Sequence, residues 1–79
     1  MGKKIKSTWE VWKVRVDERG WNPGERVGHG LSLAEAEDLA GTFPIAVPVG
    51  LCRTGGVKRD ERGFNRWIPD MQYFPQTAA

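Results

Sequence analysis

The sequence predicts an α+β fold: a single small domain with an antiparallel sheet of four to five strands and one short helix. Short segments in which apolar residues alternate are typical of half-buried strands, and a single segment has apolar residues at helical spacing. The chain has 79 residues, which is the size of one domain. In chain order the segments predict β-β-α-β-β-β.

The first strand is predicted over residues 8–17, after a lysine-rich segment, residues 1–7, that we expect to be a frayed basic tail. Trp12, Val14 and Val16 share one face of this strand, while the opposite face mixes aromatic rings with cations. The valine-rich face is therefore the expected core face.

A repeated hexapeptide predicts two similar hairpin tips. Residues 17–22 (DERGWN) recur almost letter for letter as residues 60–65 (DERGFN). Gly20 and Gly63 can adopt the positive φ that a tight hairpin with a bulge requires. Each tip would present an arginine and, just past it, an aromatic ring. Six residues that occur twice do not make a solenoid, so we interpret the repeat as similar turn chemistry.

A loop and a weak strand are expected between the first tip and the helix. Gly20, Pro23 and Gly24 predict a loop over residues 18–25. A short second strand would follow over residues 26–30, and glycines weaken that strand.

The helix is predicted over residues 32–40. Ser32 is a favourable N-cap, and Glu35, three residues later, completes a capping box. Gly41 is placed to end the helix in the left-handed conformation. The apolar residues form one stripe at helical spacing: Leu33, Ala36, Leu39 and Ala40. A helix of about nine residues is not stable alone in water, so it must pack on the sheet.

A third strand is predicted over residues 43–53, which alternate again. Pro44 and Pro48 have the same parity, so both missing N–H groups fall on one side of the strand. That side cannot carry a full ladder of hydrogen bonds, and we expect this strand at a sheet edge over its first half. The expected edge leaves two states open, a monomer and a weak homodimer.

A second hairpin is predicted around the second hexapeptide, with strands over residues 57–60 and 64–68. The apolar residues of segment 69–74 would form an irregular lid. We expect residues 75–79 to be flexible, so the α+β core would span residues 8–74.

The distribution of charge favours an anionic partner or an acidic protein surface. The net charge is +2, but the cations concentrate in residues 1–15 and 53–66, while acidic residues concentrate in 35–38. No apolar run is long enough for a membrane span, and no apolar segment typical of a secretory signal follows the basic start. The single cysteine excludes an internal disulfide and fits a reducing cytoplasm.

Candidate catalytic and metal-binding groups are few. His29 and Cys52 are the only residues of their types, and without paired spacing they do not supply a zinc ligand set. Cys52 lies in an apolar alternating run and is expected in the core. The Gly28–Gly30 segment lacks the third glycine of a phosphate-binding loop. We therefore expect no catalytic residue, no metal and no cofactor, and infer that the protein is not an enzyme.

The remaining candidate is a set of cations interleaved with rings. The predicted partner-binding residues are Lys13, Arg15, Arg19, Trp21, Lys58, Arg59, Arg62 and Arg66. Arginines beside exposed rings suit single-stranded nucleic acid, and the same residue types dominate the energetics of protein–protein interfaces. The alternative is that the rings form the core and the cations are ordinary solvated side chains, because so small a chain needs most of its rings inside.

The layout resembles small phage-encoded anti-CRISPR proteins that inhibit type I surveillance complexes (Cascade). The similar features are a basic β start, the SLAEAEDLA helix over residues 32–40, an apolar strand, and a hairpin that ends in Arg66 and Trp67. The resemblance implies a non-enzymatic inhibitor in the bacterial cytoplasm that binds Cascade subunits along the nucleic-acid path and blocks recognition of target DNA. It identifies no binding residue by motif. A small nucleic-acid-binding module is the alternative function.

Overall fold

A computed structural model describes residues 8–74, and the predicted basic tail (1–7) and flexible end (75–79) lie outside that range. The α+β fold is confirmed, and the elements follow the predicted order β-β-α-β-β-β with one further short strand at the end of the described region. The strands form two sheets, whereas one was predicted. The elements are β1 (Trp9–Asp17), β2 (Gly20–Leu31), α1 (Leu33–Gly41), β3 (Val49–Arg53), β4 (Val57–Arg59), β5 (Asn65–Trp67), a 3₁₀ turn (Pro69–Met71) and β6 (Gln72–Tyr73). Among the described residues no helix has the length and apolar character needed to cross a membrane.

Two antiparallel sheets make up the β structure. The larger has the strand order β2-β1-β3-β6, and the smaller consists of β4 and β5 alone. The third strand therefore lies inside the larger sheet, between β1 and β6, and the prediction of an edge strand over residues 43–53 is wrong. The strand begins only at Val49, so both prolines precede it. Its ladder of hydrogen bonds therefore does not need the N–H groups that the prolines lack. The chain turns instead over residues 43–48, where the Val47 N–H donates to Pro44 O at 2.8 Å.

The predicted loop over residues 18–25 is also wrong, because β2 begins at Gly20 and continues for 12 residues. Pro23 lies opposite Val14 of β1. It is tolerated because β2 is an edge strand, so only one of its sides must supply hydrogen bonds. Irregularities in the β1–β2 register accommodate the rest of this sequence, including one between Lys13 and Val14.

The core lies between α1 and the larger sheet. Its fully buried apolar residues are Val11, Ala36, Ala40, Val49 and Leu51. The prediction that Trp12, Val14 and Val16 form the core face is wrong, since Val16 is 58% exposed and Trp12 and Val14 are half-buried. β3 pairs with β1 only from Trp9 to Lys13. The end of β1 that carries Val16 therefore does not pair with β3.

The start of the helix is as predicted, but its end is not. The Glu35 N–H donates to Ser32 Oγ at 3.1 Å, and the Ser32 N–H donates to Glu35 Oε1 at 2.9 Å, which confirms the capping box. Gly41 is the last helical residue rather than a left-handed cap, and Thr42 follows in a right-handed conformation. The Thr42 hydroxyl donates to Leu39 O at 2.7 Å, and the Thr42 backbone N–H donates to the same oxygen at 3.0 Å. Thr42 therefore satisfies a carbonyl of the last helical turn without a left-handed glycine.

Aromatic rings cover the face of the larger sheet that points away from α1. A Cβ atom on Gly50 of β3 would lie 2.7 Å from the Phe74 ring and 3.0 Å from Trp67, so this glycine makes room for both rings. Phe74 meets Trp21 and Trp67 edge to face, with centroids 5.9 and 5.4 Å apart. The predicted apolar lid over residues 69–74 thus supplies the ring that joins β2 to the second hairpin.

Candidate binding cleft between the two hairpin tips

The two copies of the hexapeptide form turns with the same aspartate chemistry. Asp17 Oδ1 accepts from the Arg19 N–H at 2.8 Å, and Asp60 Oδ1 accepts from the Arg62 N–H at 2.9 Å. Gly20 has φ +104° and its equivalent Gly63 has φ +86°. The predicted pair of similar tips is therefore confirmed, and each tip is held by a side chain that replaces a backbone acceptor.

The two tips contact each other. The Arg19 guanidinium of the first tip lies over the Phe64 ring of the second, 3.8 Å from the ring centroid. Nearby, the Trp67 indole N–H donates to Trp21 O at 3.1 Å. The arginine of one copy therefore stacks on the ring of the other, and a repeat that is local in sequence becomes a tertiary contact.

A cleft of about 120 Å³ opens beside this contact. The first hairpin contributes Arg15, Asp17, Arg19 and Asn22 to its lining, and the second contributes Phe64, Asn65 and Arg66. Small-molecule pockets usually measure about 300–1,000 Å³, so this cleft has the size of a site for one side chain or one small group.

The arginines that line the cleft differ in their partners. Arg66 Nε donates to Asp60 Oδ2 at 3.0 Å, and an Arg19 terminal nitrogen lies 3.9 Å from Asp17 Oδ2. Arg15 has no ion pair within residues 8–74. The cleft therefore contains one guanidinium whose charge no acidic side chain of the described region balances.

Asp60 is a fixed negative charge beside the cleft. The Phe64 N–H, the Arg66 side chain and the Arg62 N–H all donate to its carboxylate, and they lower the pKa of Asp60 to about 2. At neutral pH this carboxylate is ionised, so it holds Arg66 in one orientation at the rim.

Not every predicted partner-binding residue lies at the cleft. Arg15, Arg19 and Arg66 line it, and Trp21, which is 45% exposed, packs beside it against Phe74. The others lie elsewhere on the surface. Lys13 lies 3.8 Å from Glu25 Oε1, Lys58 and Arg59 are exposed on β4, and Arg62 borders an open depression with Asp60, Glu61 and Arg66.

Sequence reasoning missed the asparagines of the cleft. Asn22 and Asn65 close the two copies of the hexapeptide, and both line the cleft. Their equivalent positions in the two hexapeptides could have indicated this, because equivalent residues of two tips that lie against each other have similar neighbours. Phe64, the ring of the second hexapeptide, also lines the cleft but is not among the predicted binding residues.

The pair of His29 and Cys52 does not form a reactive site. His29 is exposed near the end of β2, whereas Cys52 is fully buried, with Sγ 3.8 Å from Glu10 Oε1. Burial, and then the nearby charge of Glu10, raise the pKa of Cys52 to about 12. The reactive thiolate is therefore scarce at neutral pH, and the prediction that Cys52 is a core residue is confirmed.

Glu10 is the buried charged residue of the described region, with 6% exposure. Its Oε1 accepts from the Trp12 indole N–H at 3.0 Å, and its Oε2 pairs with Arg26 at 3.3 Å. These partners compensate the buried carboxylate, so the group belongs to the structure of the sheet. Within residues 8–74 no three His, Cys, Asp or Glu side chains are grouped as metal ligands would be.

No protein-family model, curated protein or solved structure matches this chain. Function is therefore inferred from the cleft and from the charges around it.

Proposed function

We propose that this protein acts by binding another macromolecule and carries out no catalysis. We call the proposed contact surface the cationic face. It comprises the three arginines of the cleft, Arg15, Arg19 and Arg66, and the cations of the second hairpin that lie outside it, Lys58, Arg59 and Arg62. The observation that carries the proposal is the convergence of both hexapeptide tips on one cleft that contains the unbalanced guanidinium of Arg15. A binding protein needs such a preorganised surface and needs no activated nucleophile or metal.

The proposed partner is a type I Cascade complex of a bacterial host, and the proposed effect is a block of target DNA recognition. The resemblance to anti-CRISPR proteins supports this partner. The physical features are compatible with it, because a stoichiometric inhibitor must place a stiff surface over a substrate path. Arginines on that surface would orient the encounter and anchor the complex.

A small nucleic-acid-binding module is the second candidate. The observation in its favour is the exposure of Trp21 and Phe64, 45% and 41%, beside the arginines. Two contacts argue against the nucleic-acid-binding module. Arg19 already covers the Phe64 ring, and the Trp21 ring meets Phe74, so neither ring is wholly available for stacking on a base.

The experiment is a competition assay with purified type I Cascade complexes and labelled target DNA. We expect the protein to abolish DNA binding at one-to-one stoichiometry. The Arg15→Glu, Arg59→Glu and Arg62→Glu variants, singly and together, should weaken this effect while the fold is retained. Arg53→Glu is the matched control, since Arg53 is an exposed arginine outside the cationic face. Because its guanidinium lies 5.7 Å from the centroid of the Trp9 ring, the melting temperature of this variant must show that the fold is retained.

Two results would contradict the inhibitor proposal. One is unchanged DNA binding by every Cascade complex at a large excess of the protein. The other is tight binding to free single-stranded DNA with an affinity that falls steeply with salt, which would support the nucleic-acid-binding module instead. If neither DNA nor Cascade binds, both candidates are wrong.

A further inference from the structure

We propose that the cleft is a carboxylate site, which takes one aspartate or glutamate side chain of a partner protein, with Arg15 as its main ligand. The inference rests on the proposed function in that the protein binds a macromolecular partner. It does not require that the partner be Cascade.

The size of the cleft limits its occupant to one small group. Its volume is about 120 Å³. An engineered apolar cavity of about 150 Å³ holds a single benzene molecule, so a nucleobase, which is larger than benzene, exceeds this space. A carboxylate at the end of a short side chain fits it.

Three guanidinium groups and one carboxylate, that of Asp17, line the cleft, so its net charge is positive and favours an anion. Arg15 has no acidic partner within the described residues, whereas Arg66 is held by Asp60 and Arg19 lies beside Asp17. The pairs fix two guanidinium groups at the rim, and the unpaired Arg15 supplies the charge that an incoming anion would neutralise. A guanidinium can donate two parallel hydrogen bonds to a carboxylate, which gives this pairing its strength and its defined geometry.

The two asparagines complete the set of donors. Asn22 and Asn65 both line the cleft, and each side-chain amide has two N–H groups. Asn22 directs one of its N–H groups to Asp17 Oδ1 at 3.4 Å, which leaves the other to donate to a carboxylate oxygen. They come from equivalent positions of the two hexapeptides, so donors from both hairpins would surround the bound group.

The surroundings favour a protein carboxylate over a nucleic-acid phosphate. Glu18 and Glu61 are exposed at equivalent positions of the two turns, next in sequence to Asp17 and Asp60. A nucleic-acid strand carries many closely spaced charges, so a strand that crossed the two tips would bring several phosphates towards these glutamates. A single acidic side chain brings one charge and avoids that repulsion.

The test is an NMR titration of the ¹⁵N-labelled full chain that follows the arginine Nε–Hε signals. The probes are a capped Gly-Asp-Gly peptide, its Gly-Asn-Gly counterpart, inorganic phosphate and single-stranded DNA of about 12 nucleotides. We expect the aspartate peptide to give a saturable shift of the Arg15 signal, and the asparagine peptide to give none. Arg15→Gln should weaken peptide binding about tenfold or more, because it removes hydrogen bonds to a charged group.

Two further variants test whether the effect on peptide binding is specific to the Arg15 guanidinium. Arg53→Gln is the matched control, because Arg53 is exposed at the end of β3, does not line the cleft and lies outside the cationic face, and it should leave peptide affinity unchanged. Arg15→Lys keeps the charge but loses the paired donors, so it should bind the peptide with an intermediate affinity. The amide spectrum of each variant shows whether it is folded, and either Arg15 variant alone is sufficient for the comparison with Arg53→Gln.

Three results would overturn the carboxylate site. They are an equal response of the wild type and the Arg15 variants, tighter binding of phosphate than of the aspartate peptide, and binding of DNA in preference to both. The outcome is separable from that of the Cascade assay. A peptide response with no effect on Cascade would refute the inhibitor proposal alone, whereas inhibition of Cascade that survives Arg15→Gln would refute the carboxylate site alone.

Discussion

The contact between the two hexapeptides can be measured as a coupling energy between Arg19 and Phe64. The guanidinium lies 3.8 Å from the ring centroid, which is well inside the range of a cation–π interaction. Phe64 is 41% exposed, so solvent weakens the attraction. We therefore expect a coupling of about 0.5–1 kcal/mol, the range for exposed pairs, from a double-mutant cycle of Arg19→Gln and Phe64→Leu.

The assay is urea unfolding of the wild type, both single variants and the double variant. For so small a protein the free energy of unfolding falls by about 1 kcal/mol per molar urea, so the double variant should lie about 0.5–1 M above the midpoint expected from adding the single losses. Arg62 is the matched control, because it holds the position of Arg19 in the other hexapeptide. A cycle of Arg62→Gln with Phe64→Leu should give little coupling. If the Arg19 cycle gives no more coupling than the Arg62 cycle, the proposed contact between the tips is wrong.

Three further predictions concern the helix, the buried thiol and the second tip. Ser32→Ala removes the acceptor of the capping box with Glu35 and should lower stability by about 1 kcal/mol, and an unchanged melting temperature would contradict the cap. Because burial and Glu10 raise the pKa of Cys52 to about 12, a thiol reagent at about pH 8 should label Cys52 only as fast as the protein unfolds, and rapid labelling of the folded protein would refute this. The lowered pKa of Asp60, about 2, stabilises the fold above the pKa of an unfolded aspartate, and this stability is lost as pH falls from about 4 towards 2. The difference in free energy of unfolding between the wild type and Asp60→Ala should therefore shrink in that window. A parallel pH dependence of the two free energies would count against the prediction.

The local features of the chain were predictable from its sequence. The capping box depends on Ser32 and Glu35, three residues apart, and each hexapeptide turn depends on one aspartate and one glycine within four residues. These interactions form between neighbours in sequence, so residue type and spacing determine them.

The errors concern features that depend on distant partners. Pro44 and Pro48 suggested an edge strand, but the chain turns between the two prolines, and Val49 begins a strand that pairs on both sides. Period-two alternation assigns residues to two faces but does not say which face the helix will cover, so Val11 in the core could not be distinguished from Val16 in solvent.

The cleft was only partly predictable for the same reason. The repeat predicted two similar tips, each with an arginine and a ring, but it did not place them against each other. Their contact depends on the packing of Trp67 and Phe74 over Gly50, which brings the second hairpin beside the first. Residues that are far apart in sequence, such as Arg15 and Arg66, line one cleft only after that packing has formed.

The central claim is that the two hexapeptide tips act together as one binding surface, and hydrogen exchange on the complex with Cascade tests it most directly. We expect binding to slow the exchange of backbone amides in both residues 17–24 and residues 60–66. Protection confined to α1, or to only one of the two tips, would contradict the claim.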